Sequence, residues 1–119
     1  KLSQYDWWYF SKLDESLDQI YIPYYDSDMQ KYRNFFTDFI FWLKKDNIYY
    51  IKFIDPKGRK LGLPETRDKV KGFEKVFVNS SPRLKYSDID VRIDLVLYNS
   101  AVFFQDIKNY YKYNFDDIF

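Results

Sequence analysis

The chain has 119 residues, of which 46% are apolar and 31% charged, with a net charge of +1; these are the proportions of one soluble globular domain spanning residues 1–119. It has no Cys and no His, which excludes disulfide frameworks, cysteine nucleophiles, structural zinc sites and histidine-based triads. Catalysis, if present, must use carboxylates, Lys, Tyr, Ser or Thr, with an oxygen-liganded hard cation such as Mg²⁺ as the compatible metal.

In chain order, Phe10, Leu13, Leu17 and Ile20 recur at helical spacing, with Asp14, Glu15 and Asp18 elsewhere around the turn. The spacing predicts a first helix, although residues 8–13 could equally be extended. Residues 19–25 read as a short strand, where Pro23 is tolerable only near the end or on an edge. The clearest element covers residues 35–55. An apolar run at 36–43 and a second at 48–55 are joined by Lys-Lys-Asp-Asn, a polar link that tolerates left-handed backbone and predicts a hairpin. After Gly58, a loop with Gly62 and Pro64 leads into residues 65–76, whose charges and apolar Val70, Phe73 and Phe77 suit an amphipathic helix. Residues 90–98 alternate and are β-branched, so they read as a strand. Residues 102–113 are open between strand, helix, or one after the other. No run approaches the roughly 18 to 20 apolar residues of a membrane span, and residues 1–10 lack the layout of a signal peptide, so the expected location is cytoplasmic with no membrane partner.

Two features of composition bear on partners. Aromatic residues make up 24% of the chain, with 12 Phe, 13 Tyr and 3 Trp. They could form a stacking platform for single-stranded bases, but the simpler expectation is that they replace Ala and Leu in the core, since Ala101 is the sole alanine. Charge is uneven: residues 57–75 carry 7 basic and 3 acidic side chains, whereas residues 1–30 carry 2 and 6. A local basic patch of this kind could follow a phosphate backbone or form a solvated helix face.

A hairpin turning through Asp46-Asn47 places Asp38 directly across from Asp55. Like charges so placed are destabilising unless something positive sits between them. Alternation puts Lys57 on the same face if the strand persists through Pro56. Two acids and one ammonium at one spot suit phosphodiester hydrolysis, with Mg²⁺ on the carboxylates and Lys orienting water. Glu15 or Asp14 could add a further carboxylate. A second D-x-K, Asp106-Ile-Lys108, has a weaker counterpart in Asp94. A turn at Asn99-Ser100 would pair Asp94 with Gln105 and turn Asp106 away.

The strings Thr37-Asp-Phe-Ile-Phe-Trp-Leu43 and Tyr50-Ile-Lys-Phe-Ile-Asp-Pro-Lys-Gly58 resemble the PD-(D/E)xK nuclease superfamily, and more narrowly the carboxy-terminal endonuclease domain of type III restriction enzymes and related helicase-nucleases. Phe10-Ser-Lys-Leu-Asp-Glu15, Ile22-Pro-Tyr24, Tyr111-Lys-Tyr113 and Asp116-Asp-Ile-Phe119 are also similar. The resemblance implies an α/β fold with a restriction-endonuclease-like core, a mixed central sheet flanked by helices in αβββαβ order. It implies Asp38 and Asp55 as catalytic and metal-binding acids, Lys57 as the catalytic lysine, the Pro56 carbonyl as a further metal ligand, and Glu15 as an added one. Thr37 departs from the family's Pro, and Asp55 stands where Glu is common. The implied activity is Mg²⁺-dependent cleavage of double-stranded DNA, with Mn²⁺ as a substitute. Arg59, Lys60, Arg67, Lys69 and Lys71 would hold the DNA backbone. An upstream helicase and a methyltransferase subunit are the implied partners, and with no GxxxxGK[ST] loop the chain looks like a module of a longer protein. Two other readings remain: a catalytically degenerate DNA-binding or partner-docking module, and a repair or recombination nuclease of the same superfamily.

Overall fold

Asp46, at φ 54°, supplies the left-handed position that the tight turn requires, and β4 (Phe39–Lys45) folds back on β5 (Ile48–Asp55). The pairing sets Phe39 opposite Ile54 and Lys45 opposite Ile48, the register expected from the sequence. The computed structural model describes residues 2–14, 20–56, 64–79, 84–86, 89–99 and 104–119. The expected strand at 36–43 begins at Phe39, because the preceding residues break away after a separate strand that ends at Phe35.

Around this hairpin the chain builds a mixed sheet. Its first strand, β1 (Trp7–Lys12), pairs antiparallel with β4, with Lys12 opposite Phe39 and Trp7 opposite Lys44. This corrects the expected first helix. Trp7, Trp8, Tyr9 and Phe10 are aromatic residues that favour a pleated surface, and the pairing available along β4 outweighs the helical spacing of Phe10 and Leu13. Between β1 and β4 a second hairpin joins β2 (Ile22–Asp26) to β3 (Lys31–Phe35). In β2, Ile22, Tyr24 and Asp26 are buried while Pro23 and Tyr25 face outward, the period-two pattern of a half-buried strand. Pro23 sits in a two-stranded sheet with no interior strand, where a missing N–H is tolerated.

Beyond β5, α1 (Pro64–Phe73) crosses over to β7 (Ile89–Tyr98), which runs parallel to β5 with Asp55 opposite Leu97. Pro64 at the first helical position, Glu65 in the first turn and Lys71 in the last are the residues a helix of this polarity favours. The helix continues into a π-helical turn, Glu74–Asn79. A short β6 (Leu84–Tyr86) pairs antiparallel with β7, and β8 (Tyr111–Lys112) pairs with it in parallel. The strand order is β1-β4-β5-β7-β6. The parallel β7–β8 pairing corrects the expected turn at Asn99-Ser100. A 3-10 segment, Gln105–Tyr110, brings the chain back in the same direction as β7, so Asp94 does not meet Gln105.

Alternation sorts the sheet into two apolar layers. One face gives Ile40, Phe53, Leu95 and Leu97, backed by Trp42, Ile51 and Ile93, to a core with Val70 and Phe73 of α1 and Ile22, Tyr24 and Phe35 of the β2–β3 hairpin. The other gives Phe41, Leu43, Ile54 and Val96 to a smaller core with Ile118, beside Leu2 and Phe119. Here 3-10 turns, Leu2–Gln4 and Phe115–Ile118, cover the sheet instead of an α-helix. Lys52 ties them down by donating to the Ile118 carbonyl at 2.6 Å. Its burial pulls its pKa down, while the neighbouring Asp94 opposes that shift.

The β2–β3 hairpin is fixed to α1 by polar contacts. Asp26 is 2% exposed and its carboxylate accepts from the N–H groups of Asp28 and Met29 and from Arg33. Ser27 donates its N–H and hydroxyl to Asp68 on the helix. Gly72 permits the closest approach: a Cβ there would lie 2.5 Å from both the Pro23 carbonyl oxygen and Tyr24 Cβ.

Gly72→Ala is therefore expected to destabilise the fold by about 1–3 kcal/mol in urea unfolding, because overpacking against backbone outweighs the better helix propensity of Ala. The Met29 N–H and Arg33 guanidinium hold the Asp26 carboxyl below its ordinary value. Its stabilisation is present above the unfolded pKa of about 3.9 and is lost as pH falls through the lower folded value. Thermal unfolding followed from neutral to strongly acidic pH should show a shallower acid decline in Asp26→Asn than in the parent.

Candidate active site

The observed hairpin ladder ends with Phe39 opposite Ile54, one residue short of the two expected acids. Asp38 lies just before β4, held in line by the Leu13 N–H, which donates to its carbonyl at 2.8 Å. Asp55 ends β5 beside Leu97 of the parallel strand, on the face that α1 covers and at the carboxyl end of the parallel pair.

The two acids differ in environment. Asp55 is 1% exposed, whereas Asp38 is half-buried. A cation held between two carboxylates would offset the repulsion that like charges exert on one another. The donor set, two carboxylates with the Pro56 carbonyl next in the chain, is of the hard-oxygen type that Mg²⁺ accepts alongside several waters. Among the described residues, no three acidic side chains gather into one metal-binding group.

Thr37 is 1% exposed, and its hydroxyl donates to the Phe39 carbonyl at 3.2 Å, a buried hydrogen bond that spans Asp38 and fixes the entry to β4.

Lys57, Arg59, Lys60 and Glu15 lie outside the described residues. Of the other expected DNA contacts, Lys71 is exposed. Arg67 is engaged with Asp106 at 2.6 Å and lies over the Phe104 ring. Lys69 sits over the Phe35 ring, 4.7 Å from its centre, and 3.8 Å from Glu65. The weaker constellation is dispersed: Asp94 faces Lys52 across the β5–β7 pair at 3.9 Å, Asp106 is taken by Arg67, and Lys108 is exposed on the 3-10 segment. The sequence reading missed the Leu13 contact to Asp38, since a helix at that point hides the strand pairing that supplies it.

The family model that matches is that of the YagJ family, over residues 1–111. No curated protein and no solved structure matches the chain.

Thr37→Val keeps the volume and removes the hydroxyl; it should lower stability by about 1 kcal/mol in urea unfolding.

Proposed function

The chain belongs to the YagJ family, and from the site that it builds we propose that it is a Mg²⁺-dependent endonuclease acting on double-stranded DNA. The observation that carries this reading is the β4–β5 register, whose last pair, Phe39 with Ile54, would set Asp38 opposite the buried Asp55 if continued by one residue, with Pro56-Lys57-Gly58 following directly in the sequence. The order of elements supports it as well. With the β2–β3 hairpin set aside as an insertion, β1, β4 and β5 lie adjacent in one sheet, then α1 crosses to β7. That sequence of elements fits the βββαβ part of a restriction-endonuclease-like core.

In this mechanism Asp38, Asp55 and the Pro56 carbonyl hold the metal, which when bound supplies a Lewis acid for a phosphate oxygen and a more acidic water. The buried Asp55 fixes the position and the half-buried Asp38 faces the entering phosphate. Lys57, two residues after Asp55 in the sequence, would orient the attacking water and offset the negative charge that develops on the phosphoryl oxygens. Water oxygen bonds to phosphorus as its proton passes to solvent, and the bond to the leaving oxygen breaks, that oxygen keeping the electron pair and taking a proton from solvent. Lys71, with Arg59 and Lys60 after the site, supplies cations for the flanking phosphates. A role in restriction adds an upstream helicase and a methyltransferase subunit as partners.

Plasmid DNA incubated with the protein and Mg²⁺ should be cut, and Asp38→Ala and Lys57→Ala should each lower the rate about 10²–10³-fold, the usual cost of removing one electrostatic contributor. Equal rates in the parent and both variants would overturn the assignment.

A further inference from the structure

Core packing accounts for Phe35, Phe41, Phe53 and Phe73, but not for the aromatic residues of β1. All six residues of that strand are exposed, with Trp7 at 39%, Trp8 at 42%, Tyr9 at 69% and Phe10 at 55%. β1 ends the sheet, and among the described residues no strand pairs with its outer edge. An edge rich in Trp, Tyr and Phe, with a row of backbone donors and acceptors, is a template for another strand.

The bonding pattern fixes how that edge can pair. Leu13 N–H donates to the Asp38 carbonyl, so in the β1–β4 ladder the odd-numbered residues direct their backbone groups at β4. Trp8, Phe10 and Lys12 direct theirs outward. Antiparallel addition of an identical strand about a two-fold axis must match outward residues with outward residues. With Tyr9 on the axis, Trp8 meets Phe10 of the second copy twice, and Lys12 falls opposite the end that carries Asp6, whose own N–H turns inward to the Lys44 carbonyl, so that this last pair is one of side chains alone. The Asp6 carboxylate accepts from the Asp46 N–H and lies 3.5 Å from Lys44, yet half of the side chain stays exposed, open to a second cation. The neighbouring register, with Phe10 on the axis, sets Asp14 against Asp6 and is disfavoured by like charge.

We propose that β1 is a homodimer interface, in which two copies of this chain join their sheets antiparallel through β1 about a two-fold axis at Tyr9. Charge complementarity selects the second copy: one strand carries an acid at one end and a base near the other, and its reverse is its own complement. The contact extends beyond the strands. Trp8 and Phe10 line an apolar groove of about 410 Å³ with Phe39, Phe41, Ile54 and Phe115, and the Trp8–Phe10 pairs across the axis close its outer wall. The interface does not depend on the nuclease reading.

The oligomeric state tests it. Light scattering of the purified chain should give twice the monomer mass of 14.8 kDa. Phe10→Pro removes an outward N–H and leaves the β4 pairing intact, so it should run as a folded monomer with the circular dichroism of the parent. Lys12→Glu should shift the equilibrium toward monomer. Tyr9 on the axis forms a non-hydrogen-bonded pair with Cα atoms about 4.5 Å apart, a separation a disulfide spans. In a chain without cysteine, Tyr9→Cys should cross-link under mild oxidation and Ser11→Cys should not. A monomeric parent, a dimer untouched by Phe10→Pro, or equal cross-linking of the two cysteine variants would each overturn the proposal.

Discussion

The β4–β5 register is the constraint on which the rest of the structure depends. A tight turn at Asp46-Asn47 fixes it, and because side chains alternate, a slip of one residue would exchange the two faces of the sheet. In the observed register, Ile40, Trp42, Ile51 and Phe53 meet the helix and the β2–β3 hairpin, while Phe41, Leu43 and Ile54 meet the chain ends. The same alternation carries Asp55 onto the helix-covered face. Apolar burial on both faces and the position of Asp55 at the end of the larger core therefore follow from one turn.

This end of the sheet is held by elements distant in sequence. β1 approaches from one side and pins Asp38 through Leu13, β7 lies against Asp55 from the other, and the buried Thr37 hydroxyl fixes the entry to β4. The helix cannot drift away from this end, because Gly72 sits against Pro23 and Tyr24 and Asp68 accepts from Ser27. On the proposed function, a scaffold fixed in this way would preorganise Asp38 and Asp55 for a cation, since the cost of assembling the charges is met during folding rather than at the moment of reaction. The opposite layer is thinner, closed by 3-10 turns and Lys52, and it is there that the aromatic groove opens beside β1.

Much of this is legible in the sequence where local pattern and tertiary packing agree. The hairpin at 36–55, the amphipathic helix at 65–76 and the strand at 90–98 carry periodicity and turn residues strong enough to be read directly. The first strand is only half legible: residues 8–13 read equally as helical or extended, because its exposed aromatics show no alternation of apolar and polar residues and Phe10 and Leu13 fall at helical spacing. The segment after Tyr98 fails for another reason: the choice between a hairpin and a parallel return depends on the intervening 3-10 turn, whose residues carry no periodic signal. At the site, the register up to Phe39 opposite Ile54 could be derived from the turn position alone. The fixing of Asp38 by Leu13 could not, because it needs the pairing of β1 with β4, which neither the helical nor the extended reading of residues 8–13 specifies.

The central claim, that Asp38 and Asp55 form a divalent-cation site, is tested most directly by calorimetric titration of the protein with Mg²⁺ or Mn²⁺. The parent should bind the ion, and Asp55→Ala should abolish that heat while retaining the circular dichroism of the folded chain. No binding by the parent, or the same heat in both proteins, would contradict it.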